Sequence, residues 1–176
     1  MNESAPPRLV PDLIFPPYSY VPGQFPHPFT DPKGHSYGMK PPICEPPDPN
    51  QWRASRSYLA GIDLFNHGYY WEAHEAWESL WHACGRKGTT ADFLKGLIKL
   101  AAAGVKVRQG QPDGVRNHAR HAAELFISIP CAKSYMGLSV DELIARASYV
   151  AEYPPSDPGR HAAAVVVFAF ALWPGK

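Results

Sequence analysis

The 176-residue sequence has few cysteines, little net charge and no long apolar run, and each shortage excludes a class of protein. Its three cysteines are odd in number and far apart, which argues against a disulfide framework and favours a reducing cytoplasm. No C-x-x-C pair is present, so a zinc ribbon or a dithiol redox motif is excluded. A net charge of +1 provides no basic field for nucleic acid or an anionic membrane, so neither partner is expected.

Segments and motifs that would indicate other functions are also missing. Residues 1–30 lack the apolar stretch of a signal peptide, and the longest apolar run, Ala162 to Trp173, is shorter than the ~20 residues that span a bilayer. The sequence has no glycine motif for a phosphate or a dinucleotide, no G-x-S-x-G and no H-E-x-x-H. We therefore expect a cytoplasmic protein without a membrane anchor or a nucleotide cofactor.

Proline is absent between Asn50 and Gln111, whereas fourteen of the twenty prolines lie in residues 1–50. Each proline removes a backbone donor and disfavours a helix before it, so residues 1–50 are predicted to form an extended arm. Disordered linkers are usually poor in aromatic residues, but this arm is rich in them. We expect the arm to lie on the domain through its aromatic side chains. A partly disordered arm that binds a partner's groove is the alternative. The aromatic residues are Phe15, Tyr18, Tyr20, Phe25, Phe29 and Tyr37.

The rest of the chain has the apolar periodicity of helices, interrupted by turn signals. Short connections favour antiparallel neighbours, so the predicted fold is all-α, a compact bundle of about five helices that occupies residues 51–152. The last helix should begin at a capping box, S-V-D-E. The predicted helices cover about residues 51–66, 69–84, 91–109, 113–128 and 139–151.

Local signals refine these predictions. The sequence N-H-G at 66–68 suits a left-handed helix end, and Thr90 is expected to cap the third helix. The small residues A-A-A-G at 101–104 should let a neighbouring helix approach closely. Residues 153–176 are predicted to close the domain, with about 165–172 extended, buried and beside part of the arm, because β-branched residues dominate there. A short buried helix is the alternative.

The stretch YYWEAHEAWESLW, residues 69–81, combines aromatic and ionisable side chains in one predicted helix. At about 100° per residue, His74 shares the apolar face with Trp77 and Trp81. Glu78 follows His74 at i+4, within contact range. An ionisable pair at the edge of a core must find partners, because leaving it unsatisfied costs several kcal/mol. The pair could form a hydrogen bond that joins two helices, bind a metal ion, or act as an acid/base couple.

Other polar residues of this helix fall at different angles. Glu75 lies near the rim of the same face and could be a third polar group of the site, by the pitch of the helix. Glu72 and Ser79 are expected to point towards solvent.

Two stretches carry a family resemblance: LFNHGYYWEAHEAWESLW at 64–81 and FLKGLIKLAAAGVKVRQG at 93–110. Together they resemble the domain-of-unknown-function family 309, small all-helical bacterial and archaeal proteins defined by an H-x-x-x-E-x-x-W motif. In this sequence the motif is His74, Glu78 and Trp81. The similarity covers about residues 52–128 and implies a helical bundle. The family's function is not established, and metal binding is only suggested for the motif, so the resemblance implies where the site lies.

Two residues are too few for most metal ions, because tetrahedral zinc takes three or four protein ligands. Glu75 and three histidines are second-tier candidates for binding a divalent metal ion or lining a pocket. His118 lies on the inward stripe of the fourth helix, His27 stands between two prolines, and His35 lies in a glycine-flanked turn. The ordinary alternatives are that His118 is a hydrogen-bonded core residue and that His27 and His35 are surface loop residues.

The residues leave two hypotheses open. In the first, the H-x-x-x-E-x-x-W helix carries a metal-binding or acid/base pocket with Trp81 as its wall. Metal-assisted hydrolysis is then the simplest reaction, because a bound ion can activate water without a side-chain nucleophile. In the second, the protein is a non-enzymatic interaction domain, and His74 and Glu78 form a structural polar pair. Whether the protein is an enzyme, which residues are catalytic, and whether it forms a homo-oligomer stay open at this point.

Overall fold

The computed structural model describes residues 6–40, 42–130, 133–157, 159 and 162–175. Successive α-helices pack against each other in chain order, first with second through to fourth with fifth. The predicted all-α bundle of about five helices is therefore confirmed. None of the helices in the described residues is both long enough and apolar enough to cross a bilayer. The helices are α1 (Arg56–Asn66), α2 (Tyr70–Ala83), α3 (Thr89–Arg108), α4 (Pro112–Ile127) and α5 (Val140–Glu152).

Small residues set the distance between neighbouring helices, as expected for A-A-A-G. A Cβ atom placed on Gly104 of α3 would lie 2.6 Å from the ring of Tyr70 on α2, so only glycine leaves space for that ring. In the same way, Phe126 of α4 packs directly over Gly96 of α3. These contacts close the core between α2, α3 and α4, and Trp77 of α2 is fully buried against Gly61 of α1.

The helix ends follow the predictions in part. Gly68 ends the α1 turn with a φ of 84°, in the left-handed region, and its missing side chain leaves room for the backbone of Val165. The predicted N-cap of α5 is confirmed, because Oγ of Ser139 accepts a hydrogen bond from N of Glu142 at 3.3 Å. The carboxylate of Glu142 accepts a hydrogen bond from Arg146.

Two predicted helix starts are wrong. The first helix does not begin at residue 51; a separate 3-10 turn, Trp52–Ala54, precedes α1, and Ser55 between them is extended. Thr90 does not cap α3, because the helix begins two residues earlier than predicted, at Thr89 after Gly88. The hydroxyl of Thr90 instead lies 2.8 Å from the hydroxyl of Tyr135, so a tertiary contact replaces the cap.

A short hairpin was not foreseen between α4 and α5. Strand β1 (Ser134–Tyr135) pairs antiparallel with β2 (Leu138–Ser139). Met136 and Gly137 both have positive φ, 47° and 80°, as a two-residue type I′ turn requires. The hairpin closes one end of the bundle, because Trp52 packs over Gly137 and Tyr58 donates to the carbonyl of Met136 at 2.9 Å.

The C-terminal segment lies against α1 and α2 and is neither helix nor paired strand over 162–175, so the helical alternative is wrong. Asn66 binds the backbone of Leu172 twice, as donor to its O at 2.9 Å and as acceptor from its N at 2.7 Å. The segment also runs beside the arm, where N of Ser19 donates to O of Ala163 at 2.7 Å.

The arm lies on the helices and is anchored at two buried carboxylates. Asp63 of α1 accepts hydrogen bonds from N of Leu9 and N of Val10, both at 2.8 Å. Nε of Arg8 lies 3.3 Å from the same carboxylate. Glu72 of α2 holds the arm further along, and aromatic side chains of the arm pack around Trp71. The cysteines that the structure describes, Cys44 and Cys84, are free and half-buried; Cys131 lies outside the described residues.

Candidate functional site

Three ionisable side chains of α2 converge at the partly exposed edge of its buried face. His74, Glu75 and Glu78 each offer a ligand atom within 4.8 Å of the others, and all three are half-buried. We call these residues the α2 cluster. Helical pitch explains the grouping, since Glu75 adjoins His74 and Glu78 lies one turn further on. Within the described residues, no other group of three or more His, Cys, Asp or Glu side chains converges in this way.

His74 has a hydrogen-bonding atom without a partner. Its Nδ1 lies 3.3 Å from Oε1 of Glu75, but the two atoms are not in hydrogen-bonding geometry. This nitrogen is shielded from solvent and has no hydrogen-bond partner among the described residues. A buried polar atom without a partner costs free energy, and such atoms are uncommon. No hydrogen bond joins His74 to Glu78 within the described part of the chain either.

Trp81 borders the cluster as the third residue of the H-x-x-x-E-x-x-W motif. It is half-buried and packs against the core, unlike Trp77, which is completely buried. Two cations lie over its ring, the guanidinium of Arg86 at 5.5 Å and Nζ of Lys95 at 5.7 Å from its centre. Trp81 is therefore partly exposed beside the cluster, with two cations over its ring.

His118 lies on α4 and is half-buried rather than fully inward. Burial lowers the pKa of His118, and the positive charges of Lys99 and Lys106 and the nearby His74 lower it further. Its imidazole is therefore neutral at neutral pH, which is the form that can bind a metal ion or accept a proton. His74 acts on it electrostatically, but His118 is not part of the α2 cluster.

The two histidines of the arm are not brought to the α2 cluster. Nδ1 of His27 accepts from N of Phe29 and N of Thr30 at 3.3 Å, and its ring packs edge-on against Trp71. His35 has both nitrogens engaged, Nδ1 at 2.9 Å from Oγ of Ser36 and Nε2 at 3.2 Å from Oε1 of Glu72. These histidines hold the arm in place.

The expectation that Glu72 points to solvent is wrong. Its side chain is buried, because the arm covers this side of α2. Its carboxylate accepts hydrogen bonds from Oγ of Ser19 and N of Tyr20, both at 2.8 Å, besides the contact with His35. Ser79, in contrast, is half-buried and donates to the carbonyl of Glu75 on its own helix. The arm therefore covers the side of α2 opposite His74 and leaves the α2 cluster uncovered.

Glu72 and Asp63 are two arm-anchoring carboxylates that could not be identified from the sequence. Each lies among large apolar residues, Glu72 after Trp71 and Asp63 after Ile62, and that placement was the available signal. An acidic residue in such surroundings needs a partner when something covers it. The arm supplied those partners partly as backbone amides, those of Leu9, Val10 and Tyr20, which no side-chain pattern in the arm reveals.

Comparison with known proteins identifies a family that matches the part of the chain carrying α2. The family model of a domain of unknown function, DUF309, matches residues 58–118, which supports the family resemblance of the sequence over this part of the chain. The matched region contains most of α1, all of α2 and α3, the α2 cluster and His118. No match to a curated protein was found.

Proposed function

We propose that the α2 cluster binds a divalent metal ion. The observation that carries this proposal is the convergence of an imidazole and two carboxylates within 4.8 Å, with Nδ1 of His74 shielded from solvent and without a hydrogen-bond partner among the described residues. A metal ion would supply the missing partner. One nitrogen and two carboxylate ligands also form a donor set that suits zinc and related transition metals.

The charge and exposure of the cluster fit this use. Two carboxylates offset the charge of a divalent ion, so binding leaves little uncompensated charge at the edge of the core. Three protein ligands on one helix leave coordination positions open, as in catalytic rather than structural zinc sites. The half-buried side chains give a ligand access from solvent.

We further propose metal-assisted hydrolysis as the reaction class. A bound ion of this kind supplies a polarised water that is acidic enough to act as a nucleophile near neutral pH. His74, Glu75 and Glu78 would hold the ion, and Trp81 would shield one side of the site from water. His118, with its lowered pKa, is the nearby neutral imidazole that can accept a proton.

The first test is elemental analysis by mass spectrometry on tag-free protein. Wild type should contain a stoichiometric ion, and His74→Ala and Glu78→Gln should lose it while keeping a wild-type helical spectrum. His82→Ala is the matched control, because His82 is exposed, lies on the same helix and is not part of the cluster. A metal content that stays at the wild-type level in His74→Ala contradicts the proposal.

The competing hypothesis, a structural polar pair, makes a different prediction for the same variant. If His74 and Glu78 are a structural pair, His74→Ala should lower the unfolding free energy by roughly 1–3 kcal/mol in chelator, with no ion in either protein. The absence of a hydrogen bond between the two side chains in the described residues favours the metal site. An unfolding free energy that His74→Ala leaves unchanged in chelator would count against the structural pair.

A further inference from the structure

A row of lysines runs along α3 beside the α2 cluster. Lys95, Lys99 and Lys106 are spaced so that they share one side of the helix, with the small Ala102 between them. All three lysines are half-buried, because α2 and α4 flank this side of α3. The row of lysines therefore lies on the surface of α3 between α2 and α4.

Contacts at both ends of α2 and α3 fix how these helices align. Nζ of Lys95 lies 5.7 Å from the ring centre of Trp81, near the end of α2. Tyr70, at the start of α2, packs over Gly104, near the end of α3. The helices are thus antiparallel, and their common rise per residue places His74 and Glu78 beside the middle turns of α3.

Equivalent contacts align α3 with α4. The aliphatic chain of Lys106 lies against Gly114, since a Cβ placed there would be 2.9 Å from Cδ of the lysine. Phe126, near the other end of α4, packs over Gly96. The same middle turns of α3 are therefore beside His118 and His121.

Electrostatic effects agree with this placement. Burial lowers the pKa of His121, and the charges of Lys99 and Lys95 lower it further, whereas Glu124 opposes the shift. Lys99 also lowers the pKa of His118. Lys99 is thus close to both imidazoles, and the three helices form one polar face.

Within the described residues, the lysines of this face form no ion pair with its carboxylates, Glu75, Glu78 and Glu124. No carboxylate oxygen of the described residues lies within 4.0 Å of Nζ of Lys95 or Lys99. Nζ of Lys106 bonds only neutral amide oxygens, those of Gln109 and Gln111 at 2.9 Å. If a divalent ion offsets the two carboxylates of the α2 cluster, the lysines keep their positive charge. An anionic group on the ligand would neutralise it.

We propose that this face binds the phosphate group of a small phosphorylated substrate beside the metal ion, with Lys95, Lys99 and His121 as its donors. This inference rests on the proposed metal site. Separate ammonium groups act as point charges for a dianionic, multi-oxygen group, whereas a planar carboxylate is typically bound by the fork of an arginine. The phosphate would bridge the lysine row and the ion, which fits a phosphate ester as the bond to be hydrolysed.

The test is calorimetric titration of the full-length protein with inorganic phosphate, with acetate as the carboxylate comparison, in metal-loaded and chelator-treated samples. The variant is Lys95→Gln with Lys99→Gln, which removes both charges and keeps much of each side chain. The matched control is Lys33→Gln with Lys133→Gln, two exposed lysines, which changes net charge equally. Thermal melting confirms that each variant is folded.

We expect phosphate to bind the metal-loaded protein, the double variant to bind it at least about tenfold more weakly, and the control to bind it as wild type does. The double variant should retain its metal. Bound phosphate should also raise the pKa of His121, which NMR of the imidazole proton signals can follow.

The contrary outcomes separate the two proposals. The phosphate site is overturned if metal-loaded protein does not bind phosphate, or if acetate binds as tightly as phosphate. It is also overturned if the double variant and the control lose phosphate affinity equally. If removing the metal leaves the phosphate affinity unchanged, the phosphate does not bind beside the metal ion, and that part of the proposal is wrong. If wild type holds no metal but binds phosphate through Lys95 and Lys99, the metal proposal fails and the lysine contacts stand.

Discussion

Oε1 of Glu72 on α2 lies 3.2 Å from Nε2 of His35 in the arm, and the side chains are only 6% exposed. The same carboxylate binds the arm at Ser19 and Tyr20. One residue of the helix therefore holds two separate parts of the arm. Because a buried carboxylate without partners is costly, the arm and the helix stabilise each other.

Replacing this carboxylate should loosen the arm. Glu72→Ala leaves the hydroxyl of Ser19, N of Tyr20 and the imidazole of His35 without their acceptor, so we expect a loss of about 2–4 kcal/mol in unfolding free energy. Urea unfolding measures the loss, and limited proteolysis should cut the arm sooner. Glu152→Ala, at an exposed position of α5, is the control and should unfold as wild type does. Equal stability of the two variants would show that Glu72 does not anchor the arm.

Two helical glycines should respond in opposite ways to alanine. At Gly104 the new methyl group would lie 2.6 Å from the rigid, buried ring of Tyr70, so Gly104→Ala should cost about 1–3 kcal/mol despite alanine's better helix propensity. At Gly114 the nearest atoms belong to the flexible end of Lys106, which can move. Gly114→Ala is the matched control and should be neutral or slightly stabilising. Thermal melting compares them, and a stable Gly104→Ala would contradict the close packing of α2 on α3.

Acid should destabilise the protein through the histidines of α4. Burial, with nearby lysines, lowers the folded-state pKa of His118 and His121 below the ordinary histidine value of about 6.5. As pH falls through that value, the unfolded chain takes up these protons before the folded protein does, so stability declines until the lower folded-state pKa values are passed. In chelator, the melting temperature should therefore fall between about pH 7 and pH 5.

A variant pair tests this origin of the decline. His118→Gln with His121→Gln should flatten the dependence of melting temperature on pH in this range. His82→Gln, at an exposed position on α2, should keep the wild-type profile. An unchanged decline in the double variant would assign the acid sensitivity to other groups.

The attachment of the C-terminal segment to α1 should depend on the side-chain amide of Asn66. Asn66→Ala removes both hydrogen bonds to the backbone of Leu172 and leaves those buried groups unpaired, so we expect a loss of about 2–3 kcal/mol. Chemical unfolding measures it. Asn117→Ala is the control, because Asn117 is an exposed residue of α4. A loss no larger than that of the control would mean that the segment is held by its apolar contacts alone.

Much of the helical architecture could be predicted because it depends on local periodicity. The bundle, the break at Gly68 and the N-cap at Ser139 follow from residues close in sequence. The 3-10 turn at Trp52 and the failure of Thr90 to cap α3 could not be predicted in the same way. Their partners, Gly137 and Tyr135, come from a hairpin more than forty residues later.

The candidate site shows the same division. The sequence by itself determined that His74, Glu75 and Glu78 lie close together, since the pitch of one helix fixes which side chains share a face. Only the tertiary structure decided what covers each face of α2. The arm packed over Trp71 and Glu72, while α3 brought Lys95 to Trp81, and Lys99 close to the imidazoles of α4. A helix wheel places side chains around one axis, but burial and charge depend on neighbours that only the packed chain supplies.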